Sequence, residues 1–427
     1  MRRKAIYSRF EEVINILALI NGRLIDGTGR QPVEKTTIVV NGNRITGVGP
    51  ELSFPDEASV VDLKGFTIMP GLIDCHLHIG GFVIDDPDWQ FSFLYFIPFL
   101  WDYFRNYSQR RKLAIQNGVT TIRSAGDLYP HIIQLRDKIE SGKLTGPRIF
   151  APGPIFTAPG GHPAGTIYKR NRYIVEHATR QVNDTKDARE EVKRLAEGGV
   201  DCIKVVYSKT NPMDLSREVP QLELGVLEAI VDQAHSDNLR VMVHTGSTNE
   251  TRDAVSVGAD SIEHGILPGA DSIEFQNSVI MTMVEKGTYY VPTLAIAWAY
   301  RSMYPDLFSN SKKLLKKLHS QGVNVALGTD SGTPGVVIGK AVHKELELMV
   351  EAGLSPMDAI VASTKNAAEN LGKGSQLGTI EEGKLADMIV VSGDPLEEIT
   401  NTIGVNLVIK DGKILVNRLD KSRCQQR

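Results

Sequence analysis

At 427 residues, with 48 Lys plus Arg against 51 Asp plus Glu and a formal net charge of -3, the chain can bury a large core and has no charge excess with which to seek polyanions. No basic stripe suits a nucleic-acid backbone and no acidic tail is present, so the expected partners are small molecules and copies of the chain itself, with no nucleic acid and no membrane. Cys75, Cys202 and Cys424 are widely spaced and form no Cys-x-x-Cys, which argues against a disulfide framework and for a reducing, cytoplasmic setting.

The start Met1-Arg2-Arg3-Lys4 resembles the charged end of a signal peptide, but Arg9, Glu11 and Glu12 interrupt any apolar stretch. The apolar run 13–20 is short and holds Asn15, so it reads as a strand rather than a membrane span. Strand-like segments follow at 16–20, 37–40, 44–48 and 60–63, with Asn41-Gly42 as a hairpin signal because both residues tolerate positive φ. The other end has the same texture at 387–391, 404–410 and 413–416, with Asp411-Gly412 at its turn. Residues 14–66 and 383–418 are therefore expected to share one small β-sandwich domain, with 1–13 and 419–427 as terminal extensions.

Between them, 67–382 alternates strand-like and helical runs. The expected strands are 67–73, 120–123, 148–151, 201–206, 240–244, 261–263, 289–293 and 324–328, separated by amphipathic stretches such as 187–197 and 224–236. Eight strands alternating with helices predict an α/β fold, a (β/α)8 TIM barrel, whose chemistry sits at the carboxyl ends of the strands. After the first strand, 82–107 is dense in aromatics, in a chain where they make up only 7%. A helix packed on the barrel or at a subunit interface is one reading, and a wall over an apolar substrate group is the other.

On a strand, side chains two apart face the same way, so His76 and His78 converge on one point as half of a possible metal site. Later strand ends supply partners. Lys204 is expected to point into the barrel between the outward Ile203 and Val205, where a bare ammonium is costly; it is either paired with an interior carboxylate or neutral and carboxylated by CO2. His244 ends the fifth strand, His264 the sixth, and Asp330 follows the eighth as metal ligand and proton acceptor. His162, in Pro159-Gly160-Gly161-His162-Pro163, and Tyr207, just after Lys204, are candidates for contacting the substrate or its developing oxyanion. His131, His177, His235, His319 and His343 lie in helical or polar stretches and are expected to be exposed. Lys169, Arg170, Arg172 and Lys209 are candidate cations for a substrate carboxylate.

Several motifs resemble the amidohydrolase superfamily, particularly its imidazolonepropionase-related branch with metal-dependent Xaa-Pro dipeptidases. They are Pro70-Gly71-Leu72-Ile73-Asp74-Cys75-His76-Leu77-His78, Gly118-Val119-Thr120-Thr121, the strand carrying Lys204, the two single histidines, Gly328-Thr329-Asp330-Ser331-Gly332 and Gly383-Lys384-Leu385-Ala386-Asp387. The resemblance implies two divalent ions, with zinc favoured: His76, His78 and Asp330 on the more buried one, His244 and His264 on the more exposed one, and carboxylated Lys204 bridging them. It further implies hydrolysis of an amide-type bond in a dipeptide or N-acyl amino acid, with Asp330 handling the proton, and an oligomer of identical chains. Cyclic amides, ureas, carbamates and lactones share the arrangement. A deaminase is disfavoured by Ser247 three residues after His244, and a one-metal imidazolonepropionase by Lys204. Two departures fall near the pocket: Arg123-Ser124, where relatives often carry Asp after the Arg, and Tyr207-Ser208-Lys209-Thr210 in place of a Gly-rich turn.

Overall fold

The computed structural model describes residues 16–81, 101–212, 214–268, 275–420 and 424–425. Strand β1 (Ile16–Leu24) pairs antiparallel with β2 (Val33–Asn41), which turns at Gly42, φ 60°, into β3 (Arg44–Pro50). The other edge of β1 is shared. Leu17 to Ile20 run parallel to β4 (Ser59–Asp62), while Arg23 and Leu24 run parallel to β5 (Phe66–Pro70). The stretch 67–73, expected as one barrel strand, thus breaks in two. β5 stays in this sheet and the barrel begins after Gly71, where a Cβ would fall 2.2 Å from Thr120 Oγ1, so only glycine lets the chain cross so closely.

The barrel strands are β6 (Leu72–Leu77), β7 (Val119–Ser124), β8 (Arg148–Phe150), β9 (Ile155–Thr157), β11 (Cys202–Val206), β12 (Arg240–Thr245), β13 (Ser261–His264) and β14 (Tyr289–Val291), with β10 (Thr179–Gln181) flanking β9. All their pairings are parallel, in the orders β6-β7-β8 and β9-β11-β12-β13-β14. The third position of the ring is therefore built in two pieces, β8 on one neighbour and β9 on the other. At the eighth position 324–328 is extended but makes no regular ladder. It closes the ring through a Val325 bridge to Tyr290 and a bond from Cys75 N to Leu327 O at 2.9 Å.

Outward side chains Ile203, Val205, Val241, Val243 and Ile262 pack with Val192 and Leu195 of the helix Thr185–Glu197 and with Leu227, Ile230 and Val231 of the helix Leu224–Ser236. Each such burial contributes about 1.5–3 kcal/mol. Asp184 caps the first of these helices by accepting from Lys186 N and Asp187 N. Cys75 and Leu77, which simple alternation puts on one side, part company. Leu77 joins the helix layer, whereas Cys75 packs with Ile73, Phe150, Val291 and Ala367, and the pairing of β6 with β7 shifts register between Asp74 and Leu77.

After the barrel, β15 (Met388–Ser392) adds antiparallel to β5, followed by β16 (Val405–Lys410) and β17 (Lys413–Asn417). Asp411 and Gly412, at φ 49° and 72°, make the expected turn. The order β17-β16-β15-β5-β1-β2-β3 curls on itself, because Ile45 of β3 shares one core with Leu407 and Ile409 of β16. Both chain ends thus build one extra β domain beside the barrel. Among the described residues no helix is long and apolar enough to cross a membrane.

Candidate active site

Four strand ends and the turn that follows the eighth position converge. The His76 and His264 ring centroids lie 4.8 Å apart, those of His244 and His264 4.5 Å, and those of His76 and His78 5.9 Å. Asp330 Oδ1 lies 3.2 Å from His78 Nε2 and 3.6 Å from His76 Nε2. Ligand atoms of His76, His264 and Asp330 fall within 4.8 Å of one another, a spacing one ion can bridge. Strict alternation would turn His264 away once Glu263 points inward. Its backbone instead adopts φ 66°, a left-handed conformation that costs of order 1–3 kcal/mol in a non-glycine residue. That twist brings two successive side chains to the same cavity. Asp330, at φ 56°, is held likewise.

Beneath the rings lies a buried polar layer. Glu263 Oε2 takes His76 Nδ1 at 2.6 Å, and Glu263 Oε1 accepts from Arg123 Nη2 at 2.9 Å and Ser261 Oγ at 2.6 Å. Asp74 accepts from Thr329 Oγ1 at 2.6 Å and from the backbone of Thr329 and His76. His78 Nδ1 meets Gly126 O at 3.2 Å, and His264 Nδ1 meets Thr293 Oγ1 at 2.7 Å. Three rings therefore use Nδ1 for the protein and keep Nε2 for the cavity. Sequence reasoning missed Glu263, Arg123, Asp74 and Asp127. The inward parity of Glu263 with Ser261 was the available signal.

The departure Arg123-Ser124 now has a physical account. Arg123 serves Glu263, while Ser124 Oγ donates to Asp127 Oδ2 at 2.6 Å and Asp127 Oδ1 accepts from Gly80 N at 2.9 Å, tying the first two barrel loops together. The second departure is stiffened by Glu250, which accepts from Lys209 N at 2.9 Å and Gly246 N at 2.6 Å.

Burial dominates the electrostatics. It pushes the Lys204 ammonium down to about 8, His264 to about 3 and His162 to about 4, and drives His244 well below its ordinary value. Burial also pushes the carboxyls of Glu263 and Asp330 upward. Arg123 and the bond from His76 outweigh it at Glu263, and the bond and charge of His78 outweigh it at Asp330, so both stay ionised. Among the described residues, Lys204 Nζ and His244 Nε2 are buried without a hydrogen-bond partner, an expensive condition that bound cations would relieve.

The other expected residues divide. His162 reaches the pocket, its ring centroid 5.7 Å from that of His244 and its Nδ1 2.7 Å from Thr166 Oγ1. Tyr207 does not. It follows the outward parity of Ile203 and Val205 into the helix-layer core and donates its hydroxyl to Asp253 at 3.3 Å, so the substrate contact expected of it is corrected. Lys169, Arg170, Arg172 and Lys209 are all exposed, and Arg172 pairs with Glu176 at 2.6 Å. His343, expected at the surface, is buried between Thr402 Oγ1 and Asn117 O, each at 3.0 Å. His131, His177 and His319 are half-buried, and only His235 of that group is exposed. Of the aromatic stretch 82–107, residues 82–100 lie outside the described residues. Tyr107 is buried against His131, while Trp101 and Phe104 are 66% and 74% exposed.

Residues 67–415 match the model of the amidohydrolase family. The chain belongs to that family. It is 27% identical to an ochratoxinase of Aspergillus niger over 93% of this chain and 85% of that protein. It is 25% identical to an imidazolonepropionase of Geobacillus kaustophilus over 90% of this chain and 91% of that protein. The solved structure of a Xaa-Pro dipeptidase with methionine bound in the active site superimposes with a TM-score of 0.78 at 30% identity, covering 94% of this chain and all of that one. This amidohydrolase is accordingly an enzyme, a hydrolase of amide-type carbon–nitrogen bonds in a family that is generally metal-dependent.

Proposed function

We propose that this amidohydrolase is a binuclear enzyme that hydrolyses the amide bond of a dipeptide or N-acyl amino acid. The observation that carries the reading is the convergence of four histidines, Asp330 and Lys204, with Lys204 Nζ and His244 Nε2 buried and without a hydrogen-bond partner among the described residues. His76, His78 and Asp330 would hold the more buried ion, His244 and His264 the more exposed one, and carboxylated Lys204 would bridge them; zinc suits these ligands. Bound there, the ions would acidify the attacking water and polarise the substrate carbonyl. Carboxylation needs a neutral amine, which burial of Lys204 favours. Nζ bonds the carbon of CO2 and releases one proton.

Asp330, kept ionised by the bond from His78, takes the proton of the attacking water and delivers it to the leaving nitrogen. His162, whose Nδ1 lies 2.7 Å from Thr166 Oγ1, would donate from Nε2 to the carbonyl oxygen as charge develops there. The dipeptide reading is supported by the 30% identity to the Xaa-Pro dipeptidase structure. A second reading is an uncharged cyclic amide, urea or carbamate, which needs none of the exposed cations Lys169, Arg170, Arg172 and Lys209. The test is metal analysis with a parallel screen of Xaa-Pro dipeptides, N-acyl amino acids and neutral ureas and carbamates. Two equivalents of metal with the highest kcat/KM on the first two classes supports the first reading. Turnover confined to neutral substrates supports the second, and one equivalent of metal ends the binuclear assignment.

A further inference from the structure

Among the described residues, the side chains of the buried cluster of Arg123, Ser261 and Glu263 hydrogen-bond to one side chain of the six residues assigned above, that of His76. Arg123 of β7 and Glu263 of β13 are 2% and 0% exposed. A buried ion pair is weak evidence of stability, because desolvating both charges offsets most of their attraction. Here the pair has a direction. The Arg123 fork spreads over two targets, Nε donating to Cys75 O at 2.7 Å, in the residue just before His76, and Nη2 donating to Glu263 Oε1 at 2.9 Å and to Ser261 Oγ at 3.2 Å. Glu263 leaves its other oxygen 2.6 Å from His76 Nδ1. One guanidinium thus grips the His76 strand twice, through the backbone and through the imidazole.

We infer that Arg123 and Glu263 are positioning residues that hold His76 in its Nδ1-protonated tautomer, with Nε2 turned into the cavity as the best-oriented ligand of the inner ion. The alternative tautomer would set the Nδ1 lone pair against the Glu263 carboxylate, two acceptors facing each other at 2.6 Å. Arg123 closes off the rest of Glu263: with Oε1 saturated by Nη2 and Ser261 Oγ, only Oε2 is left for the ring. Partners of this kind set ligand orientation and basicity, and losing one typically costs about 10- to 100-fold in metal affinity.

The inference rests on His76 binding metal, and the controls separate the two ideas. Zinc affinity is measured by chelator competition on metal-stripped full-length protein, alongside a thermal melt. Glu263→Gln is expected to weaken zinc binding by about 10- to 100-fold while the protein remains folded. His76→Ala is the control. If His76→Ala weakens binding and a folded Glu263→Gln does not, the positioning role is overturned and the ligand role stands. If neither variant weakens binding, the ligand role of His76 falls and the inference with it. Because Glu263→Gln leaves a buried guanidinium unpaired, the double variant Arg123→Met/Glu263→Gln is read in parallel, with wild-type affinity again overturning the inference. Nitrogen-15 histidine NMR of the wild-type protein supplies a test that leaves the Arg123–Glu263 pair intact. A His76 ring protonated at Nδ1, assigned by its loss in His76→Ala, supports the inference, and a ring protonated at Nε2 overturns it.

Discussion

The two halves of the site are built differently. On the inner side His76 is held by Glu263, Arg123 and Asp74, His78 leans on Gly126 O, and Asp330 N donates to His76 O at 2.7 Å. On the outer side His264 has Thr293, but His244 Nε2 and Lys204 Nζ have no hydrogen-bond partner among the described residues. One half is set by the protein alone, and the other is left to be completed by what it binds. Preorganisation is therefore concentrated around Asp330, the carboxylate proposed to handle the proton, where misplacement would cost most.

Removing the hub of the inner half should produce the largest effect. Asp330→Asn keeps the shape but abolishes the base, so turnover on the best substrate should fall about 100- to 10,000-fold with the melting temperature little changed. Near-normal kcat would take Asp330 out of the proton transfer. Striking the outer half should hit metal content before fold. Lys204→Ala is expected to lose bound metal and most activity, both partly restored by adding a short carboxylic acid with zinc. Full metal content in Lys204→Ala would contradict the bridging carbamate.

A smaller effect separates the halves by pH in metal-free protein. His162, His264 and His343, depressed to about 4, 3 and 4, and His244, depressed well below its ordinary value, stay neutral in the fold while the unfolded chain takes protons below about 6.5. Asp74 and Glu345, raised by burial to about 7 and 8, act oppositely, since the fold binds protons there that the unfolded chain does not. The four histidines outweigh the two acids between pH 6.5 and 5. The urea midpoint of stripped protein should therefore drop across that window and the loss should shrink when zinc is restored; a rising midpoint would show that the acids dominate. The smallest effect is expected from Tyr207→Phe, which removes one hydroxyl bonded to Asp253 on the outer face. The prediction is a kcat/KM within about threefold and a stability loss near 1 kcal/mol. A larger kinetic defect would return Tyr207 to the pocket.

Much of this architecture was legible from local rules. Strand parity placed Lys204 inward between Ile203 and Val205, positive-φ chemistry placed the turns at Gly42 and Asp411-Gly412, and recurrence of ligand types at strand ends assembled the candidate site. The same parity failed where the backbone departs from an ideal strand. Cys75 leaves Leu77 at an irregular register, and His264 joins Glu263 in the cavity through φ 66°. For Tyr207, parity counted from Lys204 gave the right answer, and proximity along the chain gave the wrong one.

What the sequence by itself determined is the supply of ligands: which side chains stand at the carboxyl ends of the strands, a matter of residue type and a period of two. What only the tertiary structure decided is which nitrogen of each ring is left for the cavity. His76 meets Glu263 across 187 residues of chain, and Arg123 meets Glu263 across 140. No local pattern encodes such a meeting, because it exists only once the barrel has closed and excluded the water that would otherwise satisfy those charges.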